Sequence, residues 1–363
     1  MIEIKHLYTS FGKKESIMQA TKDKLLMRDS NLELLRFIAA LMVVVYHCDF
    51  LSFASEDTDV TLFSDWQIYS YALVKTFTCC CVNIFVLISG WYGILFSFKK
   101  LASLWFQVFF YLILTYGVAL ACIPTVIFSF RYTAHLVALD GYWFVAAYLV
   151  LMFLSPVLNV FVENVDRKTF RNTLIGFYLL SFYYGWIVQL PFYDSGASPL
   201  SFIGIYLLAR YLRLYPECYN KLTTMHTLII LGALVALVAG GVTMFILNKQ
   251  LDKACQLISF ASPFSIALSV LFLLTFVKVS VQSKFINILG GLSFAVYLLH
   301  ANNLMYQYYF FPTVKRIFFA SSGITFIAYI VGLVLAICLI TYPIDSIRKA
   351  IWRRFFAPKF QQS

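Results

Sequence analysis

Two ionisable side chains in the first apolar segment, a guanidinium and an imidazole, are of types that can bind an anion and move a proton. Arg36 and His47 lie 11 residues apart. Eleven residues make about three helical turns, so in a helix both side chains point the same way, about 16 Å apart along the axis. An imidazole takes a proton from a hydroxyl near neutral pH, and a guanidinium binds phosphate or carbonyl oxygen. Because ionisable groups in a membrane segment usually face a bundle interior or a wet cavity, the pair predicts a cavity through the protein.

A structural interpretation of the same residues stands beside this one. Arg36 could extend to the membrane interface, paired with Glu33 one turn earlier, and His47 could equally be an interfacial residue. Lys75, near one end of the second apolar segment, is expected to extend its amine to the interface in the same way. The placement of Arg36 and His47 on one stripe favours the cavity.

A second group of polar residues shares a face late in the chain. Ser293, Tyr297 and His300 have the spacing i, i+4, i+7, which places them on one side of a helix. A hydrogen-bonded packing cluster explains that spacing as well as a site does. Ser89 precedes Gly90, and small residues let helices approach closely, so packing is favoured there over a nucleophile.

The elements that must position these residues are membrane helices. The chain is 61% apolar and 12% charged, with a mean hydropathy of +0.81, whereas soluble domains are about half apolar and a quarter charged. Ten apolar segments reach or approach the ~20 residues that a membrane-spanning helix needs. They are residues 32–53, 70–96, 101–128, 142–162, 172–191, 199–215, 224–247, 259–277, 286–311 and 322–344. The sequence therefore predicts an all-α, polytopic membrane protein with about ten transmembrane helices in one bundle.

The positions of the basic residues predict the orientation of these helices. Most of the 28 Lys and Arg residues lie in the two ends of the chain and in every second loop. Cytoplasmic loops carry such an excess, so both termini are expected in the cytoplasm. The predicted divisions are a cytoplasmic tail over 1–30, a transmembrane domain over 31–346 and a basic cytoplasmic tail over 347–363. By this topology His300 lies near the depth of His47 and is the competing candidate for the base.

Net charge and cysteine content exclude two other classes of site. The net charge of +11 is spread over short loops between apolar segments, so we expect no nucleic-acid partner. The eight cysteines contain no Cys-x-x-Cys pair and lie mostly in apolar segments. They are interpreted as small buried residues, and no metal site is predicted.

Four stretches of the chain, taken together, resemble one known family. The first helix has an Arg, then ten residues, then a His. This pattern is similar to that of the membrane acyltransferase-3 family of bacterial O-acyltransferases. The start of the helix, Asn31-Leu-Glu-Leu-Leu, resembles the envelope-polysaccharide branch of that family. Residues 83–91 resemble the family's Phe-Val-x-x-Ser-Gly element, residues 142–159 its fourth helix, and residues 292–300 its Ser-x-x-x-Tyr-x-x-His element. The matching elements occur in the expected order.

One departure from the family's pattern concerns the donor. Relatives often carry an Arg-x-x-Arg pair after the second helix, where this chain has Lys99 and Lys100, with Ser103 at the place of another Arg. The resemblance therefore leaves open how the phosphates of the donor are held.

The resemblance implies an enzyme of the bacterial plasma (inner) membrane that moves an acyl group, usually acetyl, from acyl-CoA on the cytoplasmic side to a sugar hydroxyl on the outer side. The partners would be acyl-CoA, an envelope glycan or lipid-linked sugar, and membrane lipid; acetyl-CoA is a co-substrate, and no bound cofactor is expected. The catalytic residues would be His47, Arg36 and His300. The substrate-binding residues would be Glu33, Ser89, Tyr142, Trp143 and Tyr297. Donor phosphate contacts are expected among Lys99, Lys100, Arg210 and Arg213.

Two other functions fit the composition. A polysaccharide or small-molecule transporter without chemistry would also have ten to twelve helices around a polar cavity. A structural partner of a glycan assembly complex would tolerate the loss of both histidines. The stripe of Arg36 and His47 and the order of the family-like elements favour the enzyme.

Overall fold

The computed structural model describes residues 29–48, 64–131 and 142–360, and every regular element in these ranges is a helix. In chain order the helices are α1 Ser30–Tyr46, α2 Asp65–Thr78, α3 Cys81–Tyr92, α4 Phe98–Cys122, α5 Trp143–Asn164, α6 Arg167–Leu180, α7 Pro199–Leu214, α8 Thr224–Leu247, α9 Leu251–Leu257, α10 Pro263–Val277, α11 Lys284–Gly290, α12 Ser293–His300, α13 Asn303–Met305, α14 Phe311–Ala320 and α15 Gly323–Ile351. The all-α prediction is confirmed for this part of the chain. The predicted tail over 1–30 lies outside it, except for its last two residues.

Five helical stretches in the described ranges are long and apolar enough to cross a membrane. They are Asp65–Tyr92, Phe98–Cys122, Trp143–Asn164, Thr224–Leu247 and Gly323–Phe356. The pair Lys284–His300 and Asn303–Ala320, bent by 67°, counts as a sixth if it is one broken span. These helices confirm a membrane protein. The count of ten stays a prediction, because α1, α7 and α10 have only 17, 16 and 15 residues, fewer than the ~20 of a full crossing.

Exposed apolar side chains on the long helices agree with a lipid environment. On α8, Ile229, Leu237 and Met244 are exposed, and on α15 Ile324 and Leu339 are more exposed still. Water would oppose such surfaces, whereas lipid tails are as apolar as the side chains themselves. Polar side chains must then find their partners inside the bundle.

Helix α1 lies at the centre of the bundle and carries the stripe of ionisable residues. It packs against α2, α3, α10, α11, α12 and α15. Ala39 and Ala40 are fully buried, and such small side chains allow close helix approach. At its first turn the Asn31 side chain donates to the carbonyl of Phe276 at 2.9 Å. These contacts fix the rotation of α1 and so the direction in which its stripe faces.

Helix α3 approaches α7 at Gly90. A Cβ atom on Gly90 would lie 2.7 Å from the carbonyl oxygen of Tyr206 and 2.8 Å from the Cβ of Ala209. Only glycine fits at such a contact. The close approach expected of the Ser89–Gly90 pair is therefore made by Gly90, which leaves the Ser89 side chain for another face of the helix.

Candidate active site

The two candidate bases, His47 and His300, lie next to each other. Nδ1 of His47 is 3.0 Å from Nε2 of His300, and the ring centroids are 5.1 Å apart. His47 follows the last residue of α1, and His300 is the last residue of α12, which packs directly against α1. His300 thus lies at the depth of His47, as the sequence predicted. The two histidines are hydrogen-bonded neighbours in one site.

A backbone carbonyl determines which nitrogen of each ring carries the proton. Nδ1 of His300 lies 2.6 Å from the carbonyl oxygen of Val296. A carbonyl only accepts, so in the neutral ring Nδ1 of His300 is protonated and Nε2 is an acceptor. His47 must then donate from its own Nδ1, which leaves the lone pair on its Nε2. Among the described residues that Nε2 makes no hydrogen bond, so the arrangement leaves a base nitrogen available on His47.

Tyr142 holds the end of α12 and lies behind the site. Its hydroxyl donates to the carbonyl of Leu298 at 2.5 Å and accepts from Nδ2 of Asn302 at 3.4 Å. The side chain is buried. Tyr142, expected to bind substrate, is therefore placed to support the helix that carries His300.

Lys75 supports the other half of the histidine pair. Its amine donates to the carbonyl of Tyr46 at 2.7 Å and lies 4.1 Å from the centroid of the Tyr46 ring. Only 4% of the residue is exposed. The expectation that Lys75 extends to the interface is wrong, because the carbonyl of Tyr46 at the end of α1 and the face of the Tyr46 ring satisfy the charge inside the bundle. Lys75 instead holds α1 at the position just before His47, a role that its place in the sequence did not indicate.

A small cavity, here called the His47 cavity, opens beside the histidine. Its volume is about 100 Å³, and its lining includes Val43, His47, Cys81, Trp143 and Tyr297. The ring of Trp143 stacks on Phe260 with centroids 5.9 Å apart. Trp143 and Tyr297, both expected to bind substrate, therefore line the same cavity as His47. Phe260 belongs to a loop between α9 and α10, for which no pattern in the sequence indicated a role.

A larger cavity, the Arg36 cavity, lies further along the same helices. Its volume is about 300 Å³, and its polar lining includes Arg36, Ser89, Gln107 and Tyr148. Nη1 of Arg36 is 2.6 Å from a carboxylate oxygen of Glu33, whose side chain is 5% exposed. The pairing considered in the structural interpretation is thus present, and Arg36 also lines a cavity. Glu33 stands behind Arg36 and does not line the cavity itself.

Close packing keeps Glu33 in this position. A Cβ atom on Gly290 would collide with the Glu33 carboxylate and with its backbone. Gly290 therefore cannot be replaced without a shift of α1 or α11. On the opposite wall, the Ser89 hydroxyl donates to the carbonyl of Phe85 at 2.9 Å and lies 3.4 Å from the hydroxyl of Tyr148.

A family model described as an acyltransferase domain matches residues 29–344. The chain belongs to the acyltransferase-3 family. The matched residues include all four helices that line both cavities, α1, α3, α5 and α12. No curated protein and no solved structure gave a significant match. The predicted family is confirmed, and the protein is a membrane acyltransferase.

In this acyltransferase the single cavity predicted from the stripe is divided in two. Arg36 lines one cavity, and His47 lines the other. Three phenylalanines line both: Phe85 of α3, Phe144 of α5 and Phe294 of α12. The polar groups at the two ends of the stripe are therefore separated by aromatic rings that the sequence analysis had not singled out.

Three of the four predicted phosphate contacts surround the connection between α3 and α4. The guanidinium of Arg210 lies against Gly93, whose positive φ of 78° suits glycine. The guanidinium of Arg213 lies 4.9 Å from the ring of Trp91, and the amine of Lys100 donates to the carbonyl of Leu95 at 2.9 Å. Lys99, the fourth, is exposed at the start of α4.

The same connection is held from two other helices. Asn159 of α5 donates to the carbonyl of Ile94 at 2.9 Å and accepts from the hydroxyl of Tyr206 at 2.5 Å. The backbone N–H of Ile94 donates to that hydroxyl at 3.1 Å. Nε of Arg210 is buried and has no hydrogen-bond partner among the described residues. A rigid connection thus carries basic groups, one of which retains an unused donor.

An ion-pair network on α15 was also missed. Asp345 pairs with Arg348 at 2.6 Å and with Lys349 at 2.7 Å. Arg348 had been counted in the basic tail, yet it is buried. The amine of Lys349 also donates at 3.4 Å to the carbonyl of Gly291, which lines the Arg36 cavity. An acid followed by bases at i+3 and i+4 was the available signal for this network.

Proposed function

We propose that this acyltransferase moves an acyl group, acetyl by preference, from acyl-CoA to a hydroxyl of a cell-envelope or exported polysaccharide, or of its lipid-linked precursor. The observation that carries the proposal is the His47–His300 pair, which leaves a base nitrogen beside a cavity while Arg36 lines a second cavity on the same stripe. One end of the stripe suits an anionic donor, and the other suits a hydroxyl acceptor.

The donor enters from the side of Arg36. CoA is polyanionic, and Arg36 offers a guanidinium that is partly exposed in its cavity. The basic groups around the connection between α3 and α4, with the unused donor of Arg210, would hold the phosphates. Arg36 lies about 16 Å along α1 from His47, so it acts on the arm of the donor and the reacting carbon lies elsewhere.

The transfer step takes place beside His47. Nε2 of His47 accepts the proton of the acceptor hydroxyl as that oxygen bonds to the thioester carbon. The carbon–sulfur bond breaks, the thiolate of CoA leaves and takes up a proton, and the acyl ester stays on the acceptor. His300 accepts a hydrogen bond from Nδ1–H of His47 throughout, which keeps the ring oriented and stabilises the imidazolium that forms.

The membrane placement completes the proposal. Ten crossings with both termini in the cytoplasm of a bacterial inner membrane would put the Arg36 cavity on the donor's side and the His47 cavity on the acceptor's side. Reporter fusions after residues 57 and 166 are expected on opposite sides of the membrane, with residue 57 outside. The same side for both would overturn this orientation.

The function is tested with radiolabelled acetyl-CoA and membranes that contain or lack the protein. Label is expected in the envelope polysaccharide, as an alkali-labile ester, only when the protein is present. Movement of glycan across the membrane without label in the product would support a transporter instead. Normal glycan assembly by a variant that lacks both His47 and His300 would support a structural partner.

A further inference from the structure

The order of residues along four helices places Phe85, Phe144 and Phe294 between the two cavities. On α3, Cys81 lines the His47 cavity, Phe85 lines both, and Ser89 lines the Arg36 cavity. On α5, Trp143 lines the His47 cavity, Phe144 lines both, and Tyr148 lines the Arg36 cavity. The chain through α12 runs the other way, from Gly291 at the Arg36 cavity through Phe294 to Tyr297 at the His47 cavity. On α1, Arg36 and His47 mark the two ends. The three rings, called here the phenylalanine constriction, therefore stand in the path from donor to acceptor.

The constriction is a continuous aromatic wall. The rings of Phe85 and Phe144 meet edge to face with centroids 6.1 Å apart. The ring of Tyr297 packs against Phe144 and Phe294, with centroid distances of 5.7 Å to Phe144 and 6.1 Å to Phe294. Aromatic pairs at such distances prefer defined geometries and resist displacement. A group that passes must fit beside rings fixed by three separate helices.

The cavity that His47 itself lines is small, and the separate apolar cavity of about 370 Å³ beside His300 is not lined by His47. The His47 cavity has about 100 Å³, a third of the Arg36 cavity, and pockets for drug-sized ligands have roughly 300–1,000 Å³. Under the proposed function, a thioester that reaches His47 must place its acyl tail either between the rings of the constriction or in the His47 cavity. Each added methylene then has to displace an aromatic ring or a wall of the cavity.

We propose that Phe85, Phe144 and Phe294 set the length of the acyl group that this enzyme transfers, admitting acetyl and excluding longer chains. The inference rests on the proposed function and adds the residues that select the donor. The rings carry no charge and take no part in bond making. Their effect is steric, so it is expected to change the ratio of rates between donors of different length.

The test compares acetyl-CoA with butyryl-CoA as donors at matched protein abundance in membranes. One methylene commonly changes discrimination by roughly 10-fold or more. The wild-type ratio of kcat/KM, butyryl over acetyl, is therefore expected below about 1/100. The three variants Phe85→Ala, Phe144→Ala and Phe294→Ala each open the wall, and at least one is expected to raise that ratio by roughly 10-fold or more.

Two control variants separate the constriction from packing loss. Phe202 is fully buried and its ring contacts Phe144 at 5.4 Å, yet it lines neither cavity. Phe153 lies on the same helix as Phe144 and is exposed. Phe202→Ala and Phe153→Ala are expected to leave the donor ratio within about twofold of wild type, even if Phe202→Ala lowers abundance.

Each outcome decides one question. The inference is overturned if the donor ratio stays within about twofold of wild type in all three alanine variants. If an alanine variant fails to accumulate, the Leu variant at that position takes its place. In either case the proposed function is left standing. An equal rise in Phe202→Ala also overturns it, because loss of packing would then explain the change. A wild-type protein that transfers neither acyl group overturns the proposed function, and the inference with it.

Discussion

The two cavities of this acyltransferase are built in different ways. Around the His47 cavity, the deciding hydrogen bonds join residues far apart in sequence, such as His47 to His300 and Tyr142 to Leu298. Around the Arg36 cavity, the shortest polar contacts lie within one helix, from Arg36 to Glu33 at 2.6 Å and from Ser89 to Phe85 at 2.9 Å, and the contact between helices from Ser89 to Tyr148 is longer, at 3.4 Å. The first cavity is a third the volume of the second.

Under the proposed function, this difference matches two tasks. A base must keep its ring and its tautomer fixed relative to the reacting atoms, and displacements near 1 Å are costly for such a group. Anchors from separate helices provide that rigidity. A long anionic donor needs a positive charge and room, which a local ion pair at the edge of a larger cavity provides. We therefore expect substitutions at the His47 cavity to act on kcat and those at the Arg36 cavity to act on the KM of the donor.

The largest expected effect is that of His47→Ala. Removal of the general base is expected to lower kcat by roughly 10²–10⁴-fold while the donor still binds. Acetyl transfer is measured at matched membrane abundance, with Phe153→Ala as the control because that side chain is exposed on α5. A His47→Ala protein that keeps more than about a tenth of wild-type activity would rule His47 out as the base.

His300 should have the next largest effect, through the orientation of His47. Loss of the group that orients a metal-bound histidine costs roughly 10–100-fold, and a loss of the same size in kcat, with the donor KM little changed, is expected for His300→Ala. His300→Gln keeps an acceptor near the position of Nε2 and is expected to restore part of the loss. Measurement of kcat and KM for both variants decides this. If His300→Ala were as damaging as His47→Ala and Gln restored nothing, His300 would itself be the base.

Arg36→Lys, at the Arg36 cavity, is expected to change the donor KM where the histidine variants change kcat. Lysine keeps the charge but loses the fork geometry, and a hydrogen bond to a charged group is worth ~1.5–3 kcal/mol. The apparent KM for acetyl-CoA is expected to rise roughly 10-fold, with kcat changed much less. Arg171→Lys, at an exposed position on α6, is the matched control. A change confined to kcat would place Arg36 at the reacting carbon instead.

The difference between contacts within one helix and contacts between helices also explains which features could be predicted from the sequence. Arg36 and His47 were found because one helix fixes their relation: a spacing of 11 residues places them on one stripe wherever α1 packs. The Glu33–Arg36 pair was found for the same reason. The spacing of residues 293–300 and the topology also gave the depth of His300, since both follow from local pattern and charge.

The contacts that depend on packing between helices could not be derived in this way. Nothing local shows that the amine of Lys75 reaches the end of α1, or that Tyr142 holds α12 from behind. The three residues of the phenylalanine constriction lie within the family-like stretches 83–91, 142–159 and 292–300, but no local pattern shows that their rings meet between two cavities in a chain with 37 Phe residues. The number of crossings is equally hard to derive, since short helices such as α7 and α10 are buried among others and need not be as long as the membrane is thick.

The smallest expected effects are at the basic groups around the connection between α3 and α4. The single variants are Lys99→Gln, Lys100→Gln, Arg210→Gln and Arg213→Gln. Exposed charges are worth ~0.2–1 kcal/mol each, so a few-fold rise in the donor KM is expected per variant. Arg210→Gln should be the largest of the four, because the Arg210 guanidinium lies directly against Gly93 of the connection.

The combined variant gives the sharper test, because a phosphate site has a salt signature that a structural role lacks. Salt screens exposed charges, so the donor KM of the wild type is expected to rise with ionic strength, and that of the fourfold variant to rise less. Replacement of Lys315 and Arg316, which are exposed on α14, controls for the loss of positive charge elsewhere. If the fourfold variant kept both the wild-type KM and its salt dependence, these residues would act only in orienting the protein in the membrane. The donor would then be held through the Arg36 cavity alone.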